Sequence, residues 1–238
     1  MIKNSLCSWS GGKDSCFALM QAITLGYTPK VLLNVLNEEG KISRSHGIPS
    51  AILHAQAGAA GLPVHLISSS WQEYETQFSN ALKVLTQTHE LQYAIFGDID
   101  LQAHRDWEEK VCHSAGLVAI LPLWKQDRKK LVMQMIESGI VTIIVSCNEL
   151  MGEKFIGRTI DHAIIEELES IGIDPCGENG EYHTLVLDCP LFNDPIHVSI
   201  TGTLKHDAYW FCELKESDSK ESGMANKKDP STSGPMDL

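Results

Sequence analysis

The first half of the chain alternates between short apolar runs and longer stretches whose apolar residues recur at helical spacing. Residues 6–9 form an apolar run, followed by a glycine turn and a helical segment at 16–20. Residues 31–36 are almost continuously apolar, the pattern of a strand buried on both faces. An alanine-rich segment from Ser50 to Gly61 predicts a helix ended by glycine, and residues 63–67 a third strand. Tyr74, Phe78, Ala81, Leu82 and Leu85 then place an amphipathic helix over 71–89. A fourth strand at 93–96 ends at Gly97–Asp98, and a helix over 101–115 leads to a fifth strand at 117–121. Five strands joined by helices through short links predict an α/β unit built on a doubly wound parallel sheet.

After Pro122 the rhythm loosens. Asp127 is placed to cap a helix running to Ser138, and 140–145 is a β-branched strand. Thr159 is placed to cap a second helix that turns Ile160, Ile164, Leu168 and Ile171 to a core and stops at Gly172. Three short strands are expected at 184–188, 196–200 and 208–213, which makes this a smaller α+β domain. The division is therefore 1–122, 123–214 and a polar, aperiodic tail over 215–238 that reads as disordered.

Composition narrows the function. Of 238 residues 43% are hydrophobic and 21% charged, enough for a normal core, and the net charge is −12. So acidic a surface disfavours broad contact with nucleic acid or an anionic membrane. No apolar run approaches the ~20 residues that span a bilayer, and residues 1–5 do not open a signal peptide. Seven cysteines, an odd number without a C-x-x-C spacing, fit reduced thiols in a cytoplasmic protein better than a disulfide framework or structural zinc.

The chemistry concentrates first in Ser8-Trp9-Ser10-Gly11-Gly12-Lys13-Asp14-Ser15, between a strand and a helix. Glycines let backbone N–H groups approach an anion, and the helix N-terminus adds partial positive charge. Ser8, Ser10 and Ser15 supply hydroxyls, Lys13 a cation, and Asp14 a carboxylate suited to a Mg2+ ion bridging phosphates. The spacing is not that of a Walker A loop. The plain alternative is a glycine turn capped by Ser10 and Asp14. Ligands in open parallel sheets lie beyond the carboxyl ends of the strands, which adds Gly97 and Asp98, with Asn34 of the second strand near a nucleotide base. A second polar stretch, Asp174-Pro175-Cys176-Gly177-Glu178-Asn179-Gly180-Glu181-Tyr182-His183-Thr184, is too polar for a core. The adjoining thiol Cys176 is read as structural by default.

The first stretch resembles the PP-loop, S-x-G-G-x-D-S, of the ATP pyrophosphatases, enzymes with a Rossmann-like sheet that cleave ATP between its α- and β-phosphates. Together with Gly97-Asp98-Ile99, Leu121-Pro122-Leu123-Trp124, the G-E-N-G-E-Y-H-T segment and Leu187-Asp188-Cys189-Pro190-Leu191-Phe192, the chain is similar to the diphthine–ammonia ligase family up to about residue 213. The resemblance implies an ATP-dependent ligase that activates a carboxylate as an acyl-adenylate for attack by ammonia. ATP would be bound by Ser8, Ser10, Gly11, Gly12, Lys13, Asp14, Ser15, Asn34, Gly97 and Asp98, with Mg2+ on Asp14. Lys13 and Asp14 would support the chemistry, and Glu181 or His183 would handle the ammonia proton. His46, Gly47, Glu178, Asn179, Glu181 and His183 would contact the acyl substrate, which is diphthine on elongation factor 2 or a small molecule; a homodimer is left open.

The family pattern E-G-G-E-Y-E-T is here Glu178-Asn179-Gly180-Glu181-Tyr182-His183-Thr184, closer to a largely bacterial branch, part of which is associated with cobalamin metabolism. A corrinoid-related carboxylate is thus one alternative substrate and a non-catalytic ATP sensor another. A tRNA-modifying thiolase or lysidine-type ligase fits less well, because paired cysteines and net positive charge are both missing.

Overall fold

The computed structural model describes residues 2–217; the expected disorder of the tail concerns, beyond Ser217, residues outside that range. Strands β1 (Lys3–Ser8), β2 (Tyr27–Leu36), β3 (Val64–Ser68), β4 (Tyr93–Ile95) and β5 (Val118–Ile120) alternate with helices α1 (Lys13–Thr24), α2 (Ser50–Ala59), α3 (Tyr74–His89) and α4 (Gln102–Ser114). The strands pair in parallel in the order β3-β2-β1-β4-β5. The doubly wound sheet expected from the pattern is the one observed, and its order reverses between β1 and β4.

Alternate residues of each strand serve opposite faces, as the pleat demands. Cys7, Leu32 and Ile95 pack with Phe17, Leu19, Ile52 and Leu53 of α1 and α2. Leu6, Leu33 and Ala94 pack with Phe78, Leu82 and Val111 of α3 and α4. Between β1 and β2 the register skips Lys30, next to Pro29. Proline has no N–H to give the ladder, so an irregularity beside it is the expected accommodation.

The second unit holds helices α5 (Arg128–Glu137) and α6 (His162–Ser170) and strands β6 (Val141–Asn148), β7 (Tyr182–Asp188), β8 (Val198–His206) and β9 (Tyr209–Glu216). Its sheet is antiparallel, in the order β7-β6-β9-β8. Asp127 caps α5 as expected, accepting from the Lys130 N–H at 2.9 Å. Four expectations change here. The strand expected at 196–200 is β8, Val198–His206, paired with β9 out to His206. Asp161, not Thr159, caps α6, accepting from the Ile164 N–H at 2.8 Å, because Thr159 is engaged in a bridge with Ile143. Ile165 takes the buried position and Ile171 lies partly outside. Strand β9 runs on to Glu216, so Lys215 and Glu216 pair with Ser199 and Val198 rather than opening the tail.

The two sheets share one core. The cluster on the α1/α2 face continues without a break through Leu131, Ile144, Ile164 and Leu185 of the second unit. Among the described residues, no helix is long and apolar enough to cross a membrane.

Gly97, just beyond β4, closes the crevice where the strand order reverses. A Cβ there would stand 2.8 Å from both the Asp14 carbonyl carbon and the Ser15 nitrogen, which are backbone atoms that cannot step aside. Gly97→Ala is expected to cost about 1–3 kcal/mol by forcing α1 off the sheet, read as a lowered midpoint in thermal or urea unfolding; an unchanged midpoint would refute the packing argument.

Candidate active site

The 8–15 loop runs from the carboxyl end of β1 into α1, and the second sheet holds it there. Gly12 precedes α1 in extended conformation, and α1 has no side-chain cap of its own. Thr184 of β7 supplies it: its hydroxyl accepts from the Lys13 N–H at 3.0 Å. The Val186 N–H donates to the Gly11 carbonyl at 2.9 Å. Gln56, wholly buried in α2, donates to the carbonyls of Gly11 and Val186 at 3.0 and 2.7 Å and accepts from the Trp9 indole at 3.0 Å. Gly11 adopts φ +85°, a conformation that glycine takes without strain. The Ser10 and Ser15 hydroxyls lie 3.0 Å apart.

Lys13 is buried, and its ammonium donates to Asp14 Oδ2 at 2.9 Å and to the Cys176 carbonyl at 2.6 Å. Burial opposes its charge, but Asp14 and smaller contributions from Tyr182, Cys176 and Glu178 outweigh that and keep it protonated. Asp14 Oδ1 is buried and, among the described residues, without a hydrogen-bond partner. An orphaned carboxylate oxygen beside free helix N–H groups fits a magnesium ion bound to phosphate. Among the described residues there is no group of three or more His, Cys, Asp or Glu that could hold a metal ion.

Asp98 and the buried Glu108 form a carboxyl pair at the end of β4. Burial, then the hydrogen bond to Asp98, pushes Glu108 up to about 11, so it carries the proton. Burial works against Asp98 too, but hydrogen bonds from His104 and Glu108 keep it ionised and its pKa low. The His104 Nδ1 lies 2.7 Å from Asp98 Oδ1.

The second polar loop is brought to the same place. Arg128, at the start of α5, donates twice to Asp100 at 2.6 and 2.8 Å, once to Asp174, and once to Asn179 Oδ1 at 3.3 Å. This clasp ties the loop to the end of the parallel sheet. Nothing in the local sequence marks Arg128, because its partners lie 28 to 51 residues away.

Within the loop the roles differ from expectation. The Glu181 carboxylate accepts from the Asn179 N–H at 2.9 Å, the Asn179 amide at 3.0 Å and the Asp174 N–H at 3.4 Å. It staples the loop rather than standing free as a base, and Asn179 faces Glu181 and Arg128. His183 stacks on His46 with ring centroids 4.6 Å apart. Burial, then His46 and Lys13, lowers His183 to about 3, so it is neutral at working pH and a poor proton acceptor. His46 Nδ1 lies 2.8 Å from the Thr184 carbonyl oxygen, and its ring packs on Gly12. Gly47, at φ +69°, faces the Phe211 ring. Glu178 has instead the tuned carboxyl: burial, then the neighbouring Asp14, raises it to about 8 against the opposing pull of Lys13. Cys176 is a buried thiol raised to about 12 by burial, its Sγ 2.9 Å from the Arg128 carbonyl oxygen, a structural cysteine.

Beside the loop, Ser8, Trp9, Ser10, Leu33, Asn34, Val35, Ser43, Arg44, Ser45, His46 and Tyr74 line a cleft of about 380 Å³. Asn34 of β2 is among them; Arg44 and Tyr74 are not foreseeable from the sequence, since one sits in an irregular segment and the other reads as core. Trp107 packs among Tyr74 and Phe78.

Two family models divide the chain between them: the diphthamide synthase N-terminal domain over residues 3–119 and the diphthamide synthase C-terminal domain over 127–219. The chain belongs to the diphthamide synthase family. Its relatives include the diphthine–ammonia ligase of Schizosaccharomyces pombe, 31% identical over 87% of this chain and 38% of that protein. Those of Mus musculus and Homo sapiens are each 29% identical over 86% of both chains. The chain thus spans well under half of the fission-yeast protein and most of the mammalian ones. A solved structure described as a predicted subunit of tRNA methyltransferase from Methanocaldococcus jannaschii aligns with TM-score 0.42 and 18% identity, covering 79% of this chain and 98% of that one.

The depressed His183 makes a sign-definite prediction. Its folded pKa of about 3 lies below the ordinary 6.5, so between those values the unfolded chain binds a proton that the folded one refuses. Its contribution to stability is complete above about 6.5 and is lost as pH falls, by up to about 1.4 kcal/mol per pH unit. His183→Gln is expected to flatten the fall in urea midpoint between pH 6.5 and 4.5; an unchanged slope would contradict the burial.

Proposed function

We propose that this chain is an ATP-dependent ligase that joins a carboxylate to ammonia, releasing AMP and pyrophosphate. The observation that carries the reading is the capping of α1 by Thr184, which presses the polar loop of the second unit against the 8–15 loop. Lys13, Asp14, Asp98 and Glu178 then share one electrostatic environment at the strand-order reversal. The membership in the diphthamide synthase family and the name shared by the relatives support diphthine as the acceptor and ammonia as the second substrate. Elongation factor 2 would present that diphthine.

In this reading the loop N–H groups and Lys13 hold the phosphates, and work by positioning and electrostatics. Asp14 Oδ1 would hold a magnesium ion, which when bound neutralises phosphate charge. A substrate carboxylate oxygen attacks the α-phosphorus as the bond to the bridging oxygen breaks and pyrophosphate leaves. The ammonia nitrogen then attacks the acyl carbon, the bond to AMP breaks, and the proton shed by nitrogen passes to a carboxylate. Glu178 takes that role in place of Glu181 and His183, since it titrates near neutral pH while Glu181 is occupied and His183 is held neutral by burial. A small carboxylate is the second reading, supported by His183 standing where the family pattern E-G-G-E-Y-E-T has a glutamate, which removes a negative charge from the loop.

Phosphorus NMR of a reaction containing ATP, magnesium, ammonium and diphthine-bearing elongation factor 2 is expected to show AMP and pyrophosphate. Asp14→Ala should lower the rate by about 100-fold or more. ADP and phosphate, or turnover indifferent to Asp14, would defeat the proposal; turnover with small carboxylates alone would select the second reading.

The wild-type rate, corrected for the free-ammonia fraction, should climb as pH passes through about 8 and Glu178 loses its proton. Glu178→Gln should be slow and lack that limb. A variant that keeps the limb removes Glu178 as the base.

A further inference from the structure

Three polar side chains that the proposed chemistry leaves unused meet on one face of the second sheet. Ser146 of β6 pairs directly with His183 of β7 on one side and with Phe211 of β9 on the other. Directly opposed residues point to the same face, with Cβ atoms about 4.5–5.5 Å apart. The next pair along, Cys147 and Tyr182, belongs to the core, so Ser146, His183 and Phe211 turn away from it. There the His183 ring stacks on His46, and a Cβ on Gly47 would stand 3.3 Å from the Phe211 ring, so the 46–47 segment of the first unit covers the row. The His46 ring in turn packs on Gly12, and Thr184, beside His183, caps α1. We propose that His46, His183 and Ser146 bind the ammonia molecule, each accepting one of its three N–H groups. The proposal rests on the ligase reading and deepens it by placing the second substrate.

Ser146 is wholly buried, and its Oγ finds no partner among the described residues. Leaving such a hydroxyl unpaired is costly, so it points to a ligand atom. The tautomer of His46 is set by its neighbour. The Thr184 carbonyl can only accept, so Nδ1, 2.8 Å away, carries the proton and Nε2 bears the lone pair. Among the described residues, neither Nε2 of His46 nor either nitrogen of His183 is hydrogen-bonded, and both rings are half-buried rather than sealed. Burial lowers the proton affinity of both rings, with His46 and Lys13 adding to the effect at His183, so each keeps an unprotonated nitrogen. Three acceptors match the three N–H groups of ammonia and leave its lone pair free to attack. Water has two hydrogens and would leave one acceptor unmet. Ammonium, which has no lone pair, is opposed by the nearby Lys13 cation. The glutamate of the family pattern would attract that ion, whereas the neutral ring at 183 favours the nucleophilic form.

Imidazole nitrogen NMR of the full chain labelled at histidine, with ATP and magnesium present, reads the site without turnover. Titration with ammonium chloride at alkaline pH should shift the His46 and His183 nitrogens saturably, while tetramethylammonium chloride at matched ionic strength should not. Ser146→Ala and His183→Phe, each lacking one acceptor, should raise the ammonia concentration at half-saturation of the His46 signal about tenfold. In turnover the same variants should raise the KM for ammonia about tenfold relative to any change in carboxylate-dependent ATP–pyrophosphate exchange, which needs no ammonia. Nitrogen signals indifferent to ammonium chloride, shifts shared by tetramethylammonium, or a half-saturation or KM that neither variant moves would overturn the proposal. The ligase reading stands or falls separately, on whether ATP yields AMP and pyrophosphate.

Discussion

The site depends on a helix that has no cap of its own. Helix α1 begins at Lys13 after two glycines, and its first turn leaves donors that no local side chain meets. One is met by Thr184 and the preceding loop carbonyl at Gly11 by Val186, both from β7, with Gln56 tying the three segments together. The donors left over are thereby aimed at one place, with the polar loop before β7 beside them. Because the cap comes from the second sheet, the 8–15 loop is shaped only when both units are folded together, and the shared core from Phe17 to Leu185 makes that one packing event.

The charges follow from the same closure. Lys13 is taken out of water with Asp14 and a peptide carbonyl for partners, so it remains a cation. Glu178 is half-buried beside Asp14 without a comparable partner and is raised to about 8. His183, half-buried near His46 and Lys13, is pushed the other way. Three titratable groups in one small volume are thus set apart by desolvation and by which neighbour each received, the condition under which acid and base roles become distinct.

Around this centre sit residues that touch no reacting atom in the proposed chemistry but decide where such atoms lie. Arg128 clasps Asp100, Asp174 and Asn179, and Glu181 staples the loop from within by accepting backbone and amide N–H groups. Asp98 is aimed by His104 and the protonated Glu108. A loop so loaded with carboxylates would be mobile if solvated. Here its hydrogen bonds are internal or run to Arg128 of α5, Lys13 of α1 and the strands β6 and β9.

Much of this was legible along the chain. The period of two in the strands, the helical spacing over α3, the glycines of the 8–15 loop and the polar 174–184 segment are local properties, since backbone conformation and amphipathicity are encoded by near neighbours. They suffice for the doubly wound sheet, the α+β second unit and most of the residues gathered at the crevice. Less legible were the assignments that need a partner from far away. Thr159 reads as a cap but is taken by a bridge to Ile143, leaving Asp161 the role. Glu181 and His183 read as candidate bases, yet one is consumed by hydrogen bonds and the other neutralised by burial. Arg44 and Arg128 carry no local signal, because what distinguishes them is the set of groups that surrounds them. Residue identity and spacing are properties of the chain, whereas burial, pairing and proton affinity belong to the assembled interior, where a group's energy is set by neighbours dozens of residues away.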